Sequence, residues 1–213
     1  MPAFHLTTPI PCEAILRPFA LLAVAACAMT INTAARAADA AEDKAETCLS
    51  CHGESGISQT ENTPSLAAQP DQFLQWQMVY FRSGARKNEI MDPIAEQLSN
   101  EDIRGLAAYF SAFRPPDVPN GTPDDKPELT EAGKKVVAAG RCTSCHGDNL
   151  AGSKAVARIA GQREDYLDKA LHDYKSGQRV GGGVAAMADV TYSLSEEDIA
   201  ALAHYLSRQE AGK

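Results

Sequence analysis

The pentapeptide Cys-x-x-Cys-His occurs twice in this chain, as Cys48-Leu49-Ser50-Cys51-His52 and as Cys142-Thr143-Ser144-Cys145-His146. Two residues between the thiols let both sulfurs reach one edge of a macrocycle. A histidine in the next position then projects toward a metal at its centre. This is the c-type haem attachment pattern: two thioether bonds and one proximal imidazole. Two other chemistries use paired cysteines. Two pairs can build a tetrahedral zinc site, and a single pair can act as a dithiol redox centre. Neither calls for a histidine directly after both pairs. The sequence therefore predicts two covalently bound haem c groups. Cys48 and Cys51 attach the first, with His52 on its iron; Cys142 and Cys145 attach the second, with His146 on its iron.

The likeness between the two signatures continues downstream. Pro64-Ser65-Leu66-Ala67-Ala68-Gln69 matches Ala157-Arg158-Ile159-Ala160-Gly161-Gln162. Phe81-Arg82-Ser83-Gly84-Ala85-Arg86 matches Tyr174-Lys175-Ser176-Gly177-Gln178-Arg179, and Leu98-Ser99-Asn100-Glu101-Asp102-Ile103 matches Leu194-Ser195-Glu196-Glu197-Asp198-Ile199. The offset is 94 at the cysteines, 93 in the middle and 96 at the end. A period this long indicates duplicated domains rather than a solenoid of short units. The domains are predicted over 38–113 and 129–213, joined by a Pro/Asp-rich linker over 114–128 that should be extended and stiff.

Each copy reads as helical, and the fold class is all-α. Ser99 and Ser195 are N-cap candidates, with Asp102 and Asp198 three residues on in a variant of the capping box. Ile103, Leu106, Ala107 and Phe110 share one helical face, as do Ile199, Leu202, Ala203 and Leu206. A middle helix runs from about Pro70 to Arg82, with Phe73, Leu74, Met78 and Phe81 inward. Gly84 and Gly177 stand where a C-terminal stop belongs. Further helices precede the signatures, at about Ala41–Thr47 and Thr130–Ala139. Domains of about 80 residues bury little surface alone, and a covalently held macrocycle would complete each core.

The sixth iron position decides what such a haem does. A six-coordinate haem passes electrons, while an open position binds small ligands. Met91 and Met187 fall at one register position, eight residues before Ser99 and Ser195. Both are expected in loops between helices, as axial ligands opposite His52 and His146. Met78 matches Leu171 and is expected in the core. His172 and His204 match Val79 and Ala108 and are expected on helix surfaces. The carbonyls of Pro64 and Ala157 are expected to accept the N–H of the proximal imidazoles. No catalytic residue is expected.

Upstream, Arg17 precedes an apolar run over 18–31 that ends near Ala35-Arg36-Ala37. The run is short for a membrane span and fits a secretory leader over 1–37, cut before Ala38. Export to a bacterial periplasm follows, with an uncleaved anchor as the alternative. Val24-Ala25-Ala26-Cys27 also resembles a lipobox, so peripheral or lipid-anchored membrane attachment is a further expectation. The leader holds Arg17, Arg36 and Glu13 of the chain's 20 basic and 28 acidic residues, leaving 18 against 27, a formal −9. That excludes nucleic acid as a partner and suits docking to a basic protein surface.

Together, the signatures, the two six-residue segments ending in Gln69 and Gln162, Met91, Met187 and the two capped helices resemble the di-haem cytochromes c4, built from two class I cytochrome c domains. The resemblance covers essentially all of residues 38–213. It implies an electron carrier whose haems lie close together at the domain interface. Its redox partners would be a quinol-oxidising complex or dehydrogenase on one side and a terminal oxidase on the other. A haem subunit of a dehydrogenase, as in flavocytochrome sulfide dehydrogenases, is the alternative. A di-haem peroxidase or thiosulfate-oxidising enzyme is a third reading. Ala157 stands where that family pattern has proline, and Met187-Ala188-Asp189 lacks the proline of Met91-Asp92-Pro93.

Overall fold

The computed structural model describes residues 42–117, 124–179 and 185–210. The predicted leader with Cys27, and residues 118–123 of the predicted linker, lie outside them. The described residues form helices with no strand among them; the pairs Arg86–Arg179 and Ser153–Val156 make isolated bridges only. The all-α expectation holds. In the first copy α1 covers residues 42–52. It is followed by α2 (Asp71–Arg82), α3 (Met91–Glu96) and α4 (Asn100–Ser111). The second copy has α5 (Pro127–Ala139), α6 (Thr143–His146), α7 (Glu164–Lys175), α8 (Ala185–Tyr192) and α9 (Glu196–Ser207).

The long helices begin and end as their residues dictate. Ser99 and Ser195 each accept from the backbone N–H of the residue three on. Asp102 and Asp198 return the bond to the cap's own N–H. Two donors that a helix N-terminus leaves unpaired are thus satisfied at each site. Gly84 and Gly177 follow α2 and α7 at φ +71° and +74°, the left-handed conformation that glycine adopts without steric cost.

Packing of the apolar faces gives one core per copy. Ala45, Leu74, Leu106, Ala107 and Phe110 form the first, with Cys48, Leu66 and Phe73 against it. Leu167, Leu171, Ile199, Leu202 and Leu206 are central to the second, with Cys142, Ile159 and Met187 against it. Backbone approach is closest where α5 crosses α9. A Cβ added at Gly133 would lie 2.3 Å from the Ala201 carbonyl oxygen, so only glycine permits that crossing.

Three expectations are corrected. His204 is not a surface residue: it is 1% exposed. Nδ1 faces a Glu164 carboxylate oxygen at 3.1 Å and Nε2 an Asp124 oxygen at 3.0 Å. Its side of α9 meets α7 and the incoming end of the linker, and sequence periodicity does not report that contact. Met78 is only half-buried; Gln77 takes the inward place on α2 because that side meets the second copy. Met91 and Met187 stand on the short helices α3 and α8 rather than in loops. His172 is at the surface as expected, paired with Glu196 at 2.6 Å.

Candidate haem sites

The first signature lies within α1, so helical geometry holds Cys48, Cys51 and His52 on neighbouring turns. The second is built differently. The preceding helix ends at Ala139, Arg141 turns at φ +53°, and a separate turn, α6, carries Cys145 and His146. No disulfide joins the four signature cysteines. In each pair the first thiol is half-buried against the core and the second is exposed. Burial pushes the Cys48 and Cys142 thiols above their ordinary pKa.

Each imidazole is fixed by one bond of the same kind. His52 Nδ1 lies 2.8 Å from the Pro64 carbonyl oxygen, and His146 Nδ1 lies 2.8 Å from that of Ala157. A carbonyl only accepts, so Nδ1 carries the proton and the Nε2 lone pair is left for a metal. Burial lowers both imidazole pKa values, most directly favouring the neutral form a ligand needs. The proline at 64 and the alanine at 157 serve alike, since the carbonyl is common to both.

The accepting loops are pinned to the C-terminal ends of the capped helices. Ala68 N–H donates to Phe110 O at 3.1 Å, and Gly161 N–H donates to Leu206 O at 2.9 Å. Behind the first signature, Gly53 turns the chain at φ +85°. A Cβ there would lie 2.1 Å from the Ile57 carbonyl oxygen.

Met91 begins α3. Asn88 Oδ1 accepts from the Ile90 and Met91 N–H groups at 3.1 and 2.9 Å, which fixes where the helix starts. Met187 stands on α8, where Thr191 Oγ1 donates to its carbonyl at 2.8 Å. Both methionines are half-buried, and Met187 packs against the second core. The donor set fits a haem c in each copy: an unoxidised thiol pair, a neutral imidazole with Nε2 free, and a thioether at one register position.

Between the copies runs a buried polar seam that sequence reasoning missed. Gln69 Nε2 donates to Arg158 O at 2.9 Å and its Oε1 accepts from Arg158 N–H at 3.0 Å. In the reverse direction, Gln162 Nε2 donates to Ser65 O at 2.9 Å and its Oε1 accepts from Ser65 N–H at 2.8 Å. Gln69 matches Gln162 and Ser65 matches Arg158 in the repeat, so the two contacts are related by a pseudo-twofold axis. Arg86 and Arg179 obey it too. They stack over Phe81 at 4.4 Å and Tyr174 at 4.5 Å, and both donate to Gln77 Oε1, at 2.8 and 2.7 Å. Burial favours a neutral Tyr166, but Arg86 and Arg179 outweigh it and bring the hydroxyl down to about 8.

Residues 130–210 match the family model described as cytochrome c, and residues 35–110 match the model described as cytochrome c oxidase, cbb3-type, subunit III. The chain is 34% identical to cytochrome c4 of Azotobacter vinelandii over 81% of its length and 89% of the relative's. It is 30% identical to a thiosulfate dehydrogenase electron acceptor of Thiomonas intermedia, over 80% of this chain and 82% of that one. Among solved structures, reduced cytochrome c4 from Pseudomonas stutzeri superposes with a TM-score of 0.74 at 31% identity, covering 81% of this chain and 98% of that one.

Proposed function

The chain belongs to the cytochrome c4 family of di-haem electron-transfer proteins and carries two covalently bound haem c groups, and from that premise we propose that it is a mobile periplasmic carrier. It takes electrons from a quinol-oxidising complex or a dehydrogenase and delivers them to a terminal oxidase. The observation that carries this reading is the duplicated donor set. Each copy offers an imidazole with Nδ1 committed to a carbonyl and a methionine at the same register position. Two closed, matched iron sites serve electron transfer rather than substrate chemistry.

In this reading Cys48, Cys51, Cys142 and Cys145 form the thioethers. His52 and Met91 would hold one iron, and His146 and Met187 the other. The bound group supplies a one-electron ferric/ferrous couple. The residues around it hold the proximal rings in one tautomer, and methionine sulfurs on the irons would favour the ferrous state. The domains are 38–113 and 129–213, with 114–128 linking them and a leader over 1–37. No helix among the described residues is long and apolar enough to cross a membrane. The acidic surface suits brief docking on basic partners.

A second reading is favoured by the thiosulfate dehydrogenase electron acceptor: the chain serves one dehydrogenase as its dedicated acceptor. An optical redox titration with carbon monoxide added to the reduced protein tests the carrier reading. Two reversible one-electron couples and no carbon monoxide adduct under native conditions are expected. Ready binding at one haem would overturn the carrier role at that site. Co-purification with a dehydrogenase at equal stoichiometry would replace the mobile carrier by the second reading.

A further inference from the structure

Arg158 breaks the symmetry of the seam. Its partner in the repeat is Ser65, so one copy supplies a guanidinium where the other supplies a small hydroxyl. The Arg158 side chain is almost wholly buried, at 1% exposed. One terminal nitrogen donates to the Ala160 carbonyl of its own copy, and the other donates to Ala67 O of the first copy at 3.0 Å. Ala67 and Ala160 are equivalent in the repeat. The guanidinium therefore sits on the pseudo-twofold axis, where a second arginine at position 65 would have no room.

Among the described residues, no protein carboxylate pairs with it. The guanidinium's terminal nitrogens bond to neutral carbonyls, and its buried Nε–H has no partner among the described residues. Burial alone, with no opposing charge, lowers its pKa to about 10, so it remains a cation at neutral pH. Burying a guanidinium against neutral protein acceptors is costly. Ala67 and Ala160 each lie three residues beyond the carbonyl that holds a proximal histidine. Three residues span at most roughly 11 Å, so the charge stands near both sites at once.

We propose that Arg158 is a positioning charge that raises the midpoint potentials of both haem groups together, by favouring the ferrous state at each across the seam. This rests on the two-haem carrier reading. A fixed positive charge disfavours the more positive ferric centre, so its removal lowers each potential. With an effective dielectric of ~20, one unit charge roughly 12–20 Å from an iron changes the ferrous-to-ferric ratio several-fold, by at most about tenfold. For a one-electron couple a tenfold change is about 59 mV.

The test is an optical redox titration of the intact haem-loaded protein and its Arg158→Gln and Arg158→Lys variants. Arg158→Gln should lower both potentials by about the same amount, several-fold and at most about tenfold in ratio. Arg158→Lys keeps the charge without the two-carbonyl geometry and should stay close to the parent. Unchanged potentials in Arg158→Gln overturn the proposal. So does an equal fall in both variants, which would mark a loosened seam rather than a lost charge. If Arg158→Gln does not accumulate with both haems, Arg158→Met fills the same space without charge, and the same comparison decides. Failure of the carrier reading has a separate signature: the parent itself would lack two reversible couples.

Discussion

At the scale of single residues, the two methionines stand on different supports. Asn88 caps the turn that presents Met91, and Pro93 stiffens the first turn of its helix. Met187 stands in α8, a helix with no proline, with Thr191 bonded back to its carbonyl. If both sulfurs are iron ligands, changing one should alter one haem and leave the other. Replacing thioether by imidazole removes a ligand that favours ferrous iron. Met91→His and Met187→His should each lower the potential of their own haem by on the order of 100 mV, within the roughly 0.8 V that axial ligands span. A redox titration resolving both couples checks this. No change at either haem would refute the ligand assignment. The carbonyls of Pro64 and Ala157 that hold the two imidazoles were legible because repeat register carries them. His204 was not: a histidine matched to Ala108 looks like a surface substitution until Asp124 and Glu164 are brought to it from other elements.

Among the elements, the capped helices α4 and α9 hold the loops that reach the imidazoles. Ser99→Ala and Ser195→Ala should each cost about 1 kcal/mol, read as a lower denaturant midpoint with the haem spectrum intact. The two caps differ in their surroundings. Lys44 on α1 pairs with Asp102. The bond from Lys44, followed by those from Ser99, holds the Asp102 carboxyl down at about 2. A depressed carboxyl contributes stability above its unfolded value of about 3.9, and that contribution is lost as pH falls through about 2. The pair is exposed, so the effect is well under 1 kcal/mol. Asp102→Asn should remove this part of the acid sensitivity between pH 4 and 2; an unaltered acid-unfolding curve would discount the Lys44 link. Caps and glycine stops were readable because their chemistry is local. The break between α5 and α6 was not, since nothing in the second signature itself distinguishes a separate turn from a continuation of the preceding helix.

For the whole molecule, the question is what makes two domains act as one. The repeat reveals which residues are equivalent, but equivalence within one chain does not say which faces meet. Gln69 and Gln162 are matched in sequence. Only in the folded chain does each side-chain amide imitate a backbone, pairing with both main-chain groups of the other copy. The groups they satisfy are buried, and a buried polar group left without a partner costs about 1–3 kcal/mol. Gln69→Leu strands the N–H and C=O of Arg158, and Gln162→Leu strands those of Ser65. Each variant should lower stability by a similar amount, because the axis makes the contacts alike. The double variant should cost less than the two together, since either change alone loosens the shared seam. Calorimetry and denaturant unfolding followed at the haem band would show it: one cooperative transition in the parent, and two separating transitions in the double variant, as each domain unfolds with its own haem. A single transition retained in the double variant, with both single variants within about 0.5 kcal/mol of the parent, would mean that the paired glutamines do not couple the domains and that the arginine hydrogen bonds across the seam hold it instead.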